Sequence, residues 1–99
     1  MTTTNSLTDQ MISQSIERMD QTFDSHALIR DLMRNWPRAY ATDLDASIGD
    51  DPIRVLHSAI GTRLLSFDTI VKTRKVDSPN VRGETTENQE WRKIVIPTA

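Results

Sequence analysis

Ninety-nine residues with 36% apolar and 26% charged side chains suffice for one modest core and are too few for two. The lack of cysteine excludes a disulfide framework and a thiolate metal site, and no apolar run approaches the roughly eighteen residues that a membrane-spanning helix needs. The formal net charge of −2 hides an asymmetry: residues 1–51 carry four arginines against nine acids, whereas residues 52–99 carry eight Lys/Arg against five acids, the kind of imbalance that directs one half toward an anionic partner.

The polar stretch Thr2–Ser6 predicts a disordered tail over residues 1–6, and its lack of a basic segment followed by an apolar one argues against export, so a cytoplasmic protein is expected. Ile12, Ile16, Met19 and Phe23 recur at spacings of four, three and four, which predicts a helix over 7–21 with Ser6 and Asp9 available to cap it. Phe23-Asp24-Ser25 interrupts that pattern with good capping residues, and Leu28, Ile29, Leu32, Met33 and Trp36 then form the apolar stripe of a second helix. It must stop at Trp36, because Pro37 disfavours the helical conformation in the residue before it. Pro37 suits the start of a new helix, and Tyr40, Leu44 and Ile48 mark a short third one over 38–46.

Ile48-Gly49-Asp50-Asp51-Pro52 is the best-punctuated junction in the chain. Gly49 can take a left-handed cap conformation, Asp51 can accept free N–H groups of the next helix, and Pro52 fits its first position. Ile53, Leu56, Ile60, Leu64 and Phe67 follow on one face, predicting a fourth helix over 52–65. Beyond Phe67 the composition turns β-branched, with strands expected over 69–76 and 91–96 and a fourteen-residue loop between them, 77–90, rich in turn residues such as Ser78-Pro79-Asn80 and Gly83.

Helices followed by a hairpin with a long loop make a mainly α fold with a small β-hairpin, of the α+β class. That layout, over residues 23–97 with helix 7–22 as an N-terminal addition, resembles the winged helix-turn-helix family. The resemblance implies a small DNA-binding protein, a transcriptional regulator, with helix 52–65 in the major groove and the wing 77–90 on the backbone or in the minor groove. It also implies a dimer, for which helix 7–21 is the natural pairing element unless its stripe caps the core instead.

On a helical projection Arg54, Ser58, Gly61 and Thr62 lie opposite the apolar stripe of helix 52–65, with His57 and Arg63 on the flanks. Small outward residues allow close approach to base edges, and Arg54 could contact guanine or phosphate. The hairpin adds Lys72, Arg74 and Lys75 on its first strand, Arg82 in the loop, and Arg92 and Lys93 on its second. Candidate DNA-binding residues are therefore Arg54, Ser58, Thr62, Arg63, Lys72, Arg74, Lys75, Arg82, Arg92 and Lys93. Each also has a plainer reading, as a solvated helix face or as charge that protects a strand edge. His26 and His57 stand in no metal-binding or nucleophile motif, the glycines form no phosphate loop, and Asp50-Asp51 reads as helix capping. No enzyme, metal or cofactor is expected. The acidic balance and the outward Val55 and Leu65 favour an alternative, a winged-helix-like protein–protein interaction module or a phage- or plasmid-type accessory factor that binds a host protein, and a third reading is a small accessory subunit without activity of its own.

Overall fold

The computed structural model describes residues 6–94 as four helices and a three-stranded antiparallel sheet: α1 (Asp9–Arg18), β1 (Thr22–Asp24), α2 (Ser25–Asn35), α3 (Pro37–Ala46), α4 (Pro52–Leu64), β2 (Ile70–Pro79) and β3 (Thr85–Lys93). The expected tail over 1–6 lies outside these residues except for Ser6, as do the last two residues of the expected strand 91–96.

Three helices begin where a side chain accepts an otherwise free backbone N–H. Thr8 accepts from Met11 N (3.2 Å), Asp24 from Ala27 N (2.8 Å) and Asp51 from Arg54 N (3.3 Å). The cap of α1 is thus Thr8 rather than Ser6 or Asp9. Trp36, held at φ −133° and ψ 61° before Pro37, ends α2 and starts α3. Gly49 has φ 140°, a conformation that other residues resist, and it breaks the chain between α3 and α4.

The core joins Ile12 and Ile16 of α1, Leu28, Ile29 and Leu32 of α2, Tyr40 of α3 and Leu56, Ile60 and Leu64 of α4, closed by Phe23, Ile70 and Trp91 of the sheet. Each fully buried Leu or Ile is worth roughly 1.5–3 kcal/mol against exposure. The apolar stripe of α1, Ile12 and Ile16, is therefore buried in the chain's own core. Polar ties fix the same helix: Ser15 Oγ donates to Asp31 Oδ1 (2.7 Å), Arg63 Nη2 meets Asp9 Oδ1 (2.6 Å), and Arg18 stacks over Trp36 at 4.9 Å.

The sheet departs from expectation in two ways. α1 ends at Arg18, and Phe23, placed by its spacing on the first helix, belongs instead to β1, which pairs with β3 through Phe23↔Trp91; the order is β1-β3-β2 and not a two-stranded hairpin. A residue four places after Met19 fits a helical stripe, but burial against Trp91 in a ladder satisfies both its side chain and its backbone. Second, most of the expected loop 77–90 is strand. Pairing runs out to Pro79↔Thr85, leaving only residues 80–84 as the turn. These strand ends project past the core and are largely solvated, so they carry no apolar alternation, and polar composition imitates a loop.

Candidate nucleic-acid interface

One face of α4 is defined by helical spacing alone. Residues 54, 58, 61, 62 and 65 recur at i, i+4, i+7, i+8 and i+11 and turn away from the buried Leu56, Ile60 and Leu64. Arg54, Ser58, Thr62 and Leu65 on it are solvent-exposed. The face borders a groove of about 650 Å³ whose other wall is the hairpin and whose floor includes Ser25, His26 and Ile29 of α2 and the buried Trp91.

The hairpin wall depends on a β-bulge. Lys72 pairs with Trp91 and Lys75 with Gln89, so two residues, Thr73 and Arg74, stand opposite the single Glu90. The extra residue lets two lysines three positions apart line the same groove. Glu90 holds the bulge, accepting from Thr73 Oγ1 at 2.8 Å and pairing with Arg74 Nε at 3.4 Å, while Gln89 Nε2 donates to the Arg74 carbonyl at 3.0 Å.

The turn is equally well determined. Asn80 Oδ1 accepts from the backbone of Arg82 (2.9 Å) and Glu84 (3.0 Å), Gly83 N donates to the Asn80 carbonyl (3.0 Å), and Gly83 takes φ 81°. The turn directs Arg82 at the start of α4, where its guanidinium reaches the Asp51 carboxylate at 2.7 and 3.4 Å. The hydrogen bond from Arg82, and then the backbone N–H of Arg54, hold the Asp51 carboxyl below the usual range.

Six of the ten residues singled out from the sequence therefore share one groove: Arg54, Ser58 and Thr62 from α4, Lys72 and Lys75 from β2, and Arg82 from the turn. Among the described residues Arg54, Lys72 and Lys75 have no ion pair and no side-chain hydrogen bond. The other four lie elsewhere. Arg63 points back to α1, donating to the Leu7 carbonyl (2.9 Å) and pairing with Asp9. Lys93 donates to the carbonyls of Glu17 (3.1 Å) and Met19 (2.6 Å), which neutralises the end of α1. Arg74 belongs to the bulge, and the exposed Arg92 does not line the groove. Asp51, Glu84 and Glu87 also border it, so its positive field is local to the lysines and Arg54 rather than uniform.

Two histidines, His26 and His57, also line the groove. His26 Nδ1 lies 3.1 Å from the Ser78 carbonyl, and its backbone N–H donates to Asn88 Oδ1 at 3.1 Å. Nothing local links positions 26 and 78, so only the fold could show this. His57 was within reach of the helical projection, being three residues after Arg54 and four before Gly61. Its Nε2 lies 2.6 Å from the Tyr40 hydroxyl. Burial, followed by the nearby His26 and Arg82, depresses its pKa to about 4, so the imidazole is neutral at pH 7. Burial likewise raises the Tyr40 phenol.

No family model, curated protein or solved structure matched the chain.

Proposed function

We propose that this chain is a small regulator that binds double-stranded DNA through the groove between α4 and the hairpin. The observation that carries the reading is convergence: three cations unpaired among the described residues, Arg54, Lys72 and Lys75, come from two elements to one groove whose helical wall also presents Ser58, Gly61 and Thr62 beside Ile53, His57 and Leu65. A helix that presents Ser58 and Thr62 with Arg54 near its start can approach base edges, while lysines on an adjoining strand meet the phosphates. The order of helices followed by a β-hairpin supports the same reading through its likeness to the winged-helix layout.

A fluorescence anisotropy titration with mixed-sequence duplex DNA tests it. Three to four phosphate contacts give a slope of log K against log salt between about −2.7 and about −3.6, at about −0.9 per contact. No binding at low salt sinks the proposal.

A second reading has one observation behind it. Ile48 is 89% exposed and Val55 41% exposed where α3 meets α4, apolar side chains that a protein partner would cover. In that reading Ile48→Asp abolishes partner binding, and the same change leaves DNA affinity as it was if the groove is the interface.

A further inference from the structure

Arg82 is the one groove arginine that already has an anion. The Asn80–Gly83 turn fixes its backbone, and its guanidinium holds the Asp51 carboxylate through two contacts of 2.7 and 3.4 Å. That is the forked geometry an arginine uses on a phosphate as readily as on a carboxylate. Asp51 in turn caps α4, accepting from Arg54 N. One carboxylate thus sits where the hairpin tip, the first turn of α4 and the groove meet.

We infer that Asp51 masks a phosphate-binding subsite at Arg82: the carboxylate occupies the guanidinium fork in the free protein, and a phosphodiester replaces it when nucleic acid enters the groove. This rests on the DNA-binding reading above. Three consequences follow from the chemistry. Arg82 is not free to reach into a minor groove while Asp51 holds it. The exchange costs the protein one ion pair, so the masked site binds DNA more weakly than an unmasked one. And the hairpin tip is tied to α4 until a competing anion arrives, which sets the width of the groove in the free protein.

The decisive variant is Asp51→Asn. Asparagine caps a helix about as well as aspartate does, so α4 keeps its start while Arg82 loses its counter-charge. Asp50→Asn is the control. It removes the same charge from the adjacent exposed residue, which has no ion pair among the described residues. The full-length chain and each variant are titrated with labelled mixed-sequence duplex at one low and one moderate salt concentration. The expected result is roughly tenfold tighter binding by Asp51→Asn with a change of less than about threefold in Asp50→Asn, and a salt slope reduced by about one in Arg82→Gln. Equal gains in the two asparagine variants would show a general field effect and overturn the mask. So would an unchanged affinity in Asp51→Asn while the wild type binds. If neither wild type nor Asp51→Asn binds at low salt, the DNA-binding reading itself fails and the mask falls with it.

Discussion

The Tyr40 hydroxyl lies 2.6 Å from Nε2 of His57, joining α3 to α4 behind the groove. Because burial first, and then His26 and Arg82, lower the His57 pKa from 6.5 to about 4, the unfolded chain binds more protons than the folded one between those values. Stability from this group is complete above pH 6.5 and declines as the pH falls toward 4. Asp31 and Asp51 act lower on the scale. Burial raises Asp31, but hydrogen bonds from Arg18 and Ser15 outweigh it, so both carboxyls lie below 3.8 and their contribution fades as the pH falls through that value. Urea midpoints measured from about pH 7.5 to about 5, above the range where these carboxyls matter, should therefore fall in the wild type and stay nearly level in His57→Asn. A parallel decline in both proteins contradicts the assignment.

Within the core, the indole N–H of Trp91 donates to Ser25 Oγ at 2.9 Å, fastening β3 to the first turn of α2. Ser25→Ala leaves that N–H buried without a partner and should cost about 1–3 kcal/mol in urea unfolding. A loss below about 0.5 kcal/mol would mean that the indole finds another acceptor or water.

Two isoleucines predict opposite outcomes. Ile12 is fully buried and Ile48 is 89% exposed. Ile12→Asp puts a carboxylate into the core and should unfold the chain, as judged by circular dichroism. Ile48→Asp should shift stability by less than about 0.5 kcal/mol. A folded Ile12→Asp monomer would instead mark α1 as a pairing element.

Much of this architecture was legible in the residues. Gly49, Asp51 and Pro52 mark the start of α4, and Pro37 marks the break between α2 and α3, because proline and glycine sterics and a capping carboxylate act locally, within a few residues of the chain. β1 was hidden because three residues carry too little pattern to reveal a strand, and its partner Trp91 is nearly seventy positions away. The outer ends of β2 and β3 were hidden by their solvation. At the groove, the α4 face could be read from helical spacing. The common placement of Lys72 and Lys75 could not, since it depends on a bulge, and simple strand alternation puts residues three apart on opposite faces. The contacts of Arg63 and Lys93 were hidden for a related reason: a basic side chain can satisfy a distant backbone carbonyl as readily as it faces solvent, and only the fold shows that these two reach Leu7 and Met19.

Position within the groove, rather than charge alone, should govern binding. Lys72→Glu and Lys75→Glu should each weaken duplex binding about tenfold or more and flatten the salt slope by about one. Arg92→Glu reverses the same charge on an exposed residue outside the groove and should change affinity less than about threefold, consistent with screening at physiological salt. Equal losses in all three variants would point to a diffuse field instead of a built interface.

The central claim, that the groove between α4 and the hairpin receives DNA, is tested most directly by following backbone amide shifts of the labelled chain during titration with duplex DNA. The groove account predicts the largest changes at Arg54, Ser58 and Thr62 on α4 and at Lys72–Lys75 on β2, with α1 and α3 little affected. Binding that shifts α1 or α3 and leaves those groove amides unmoved would contradict it.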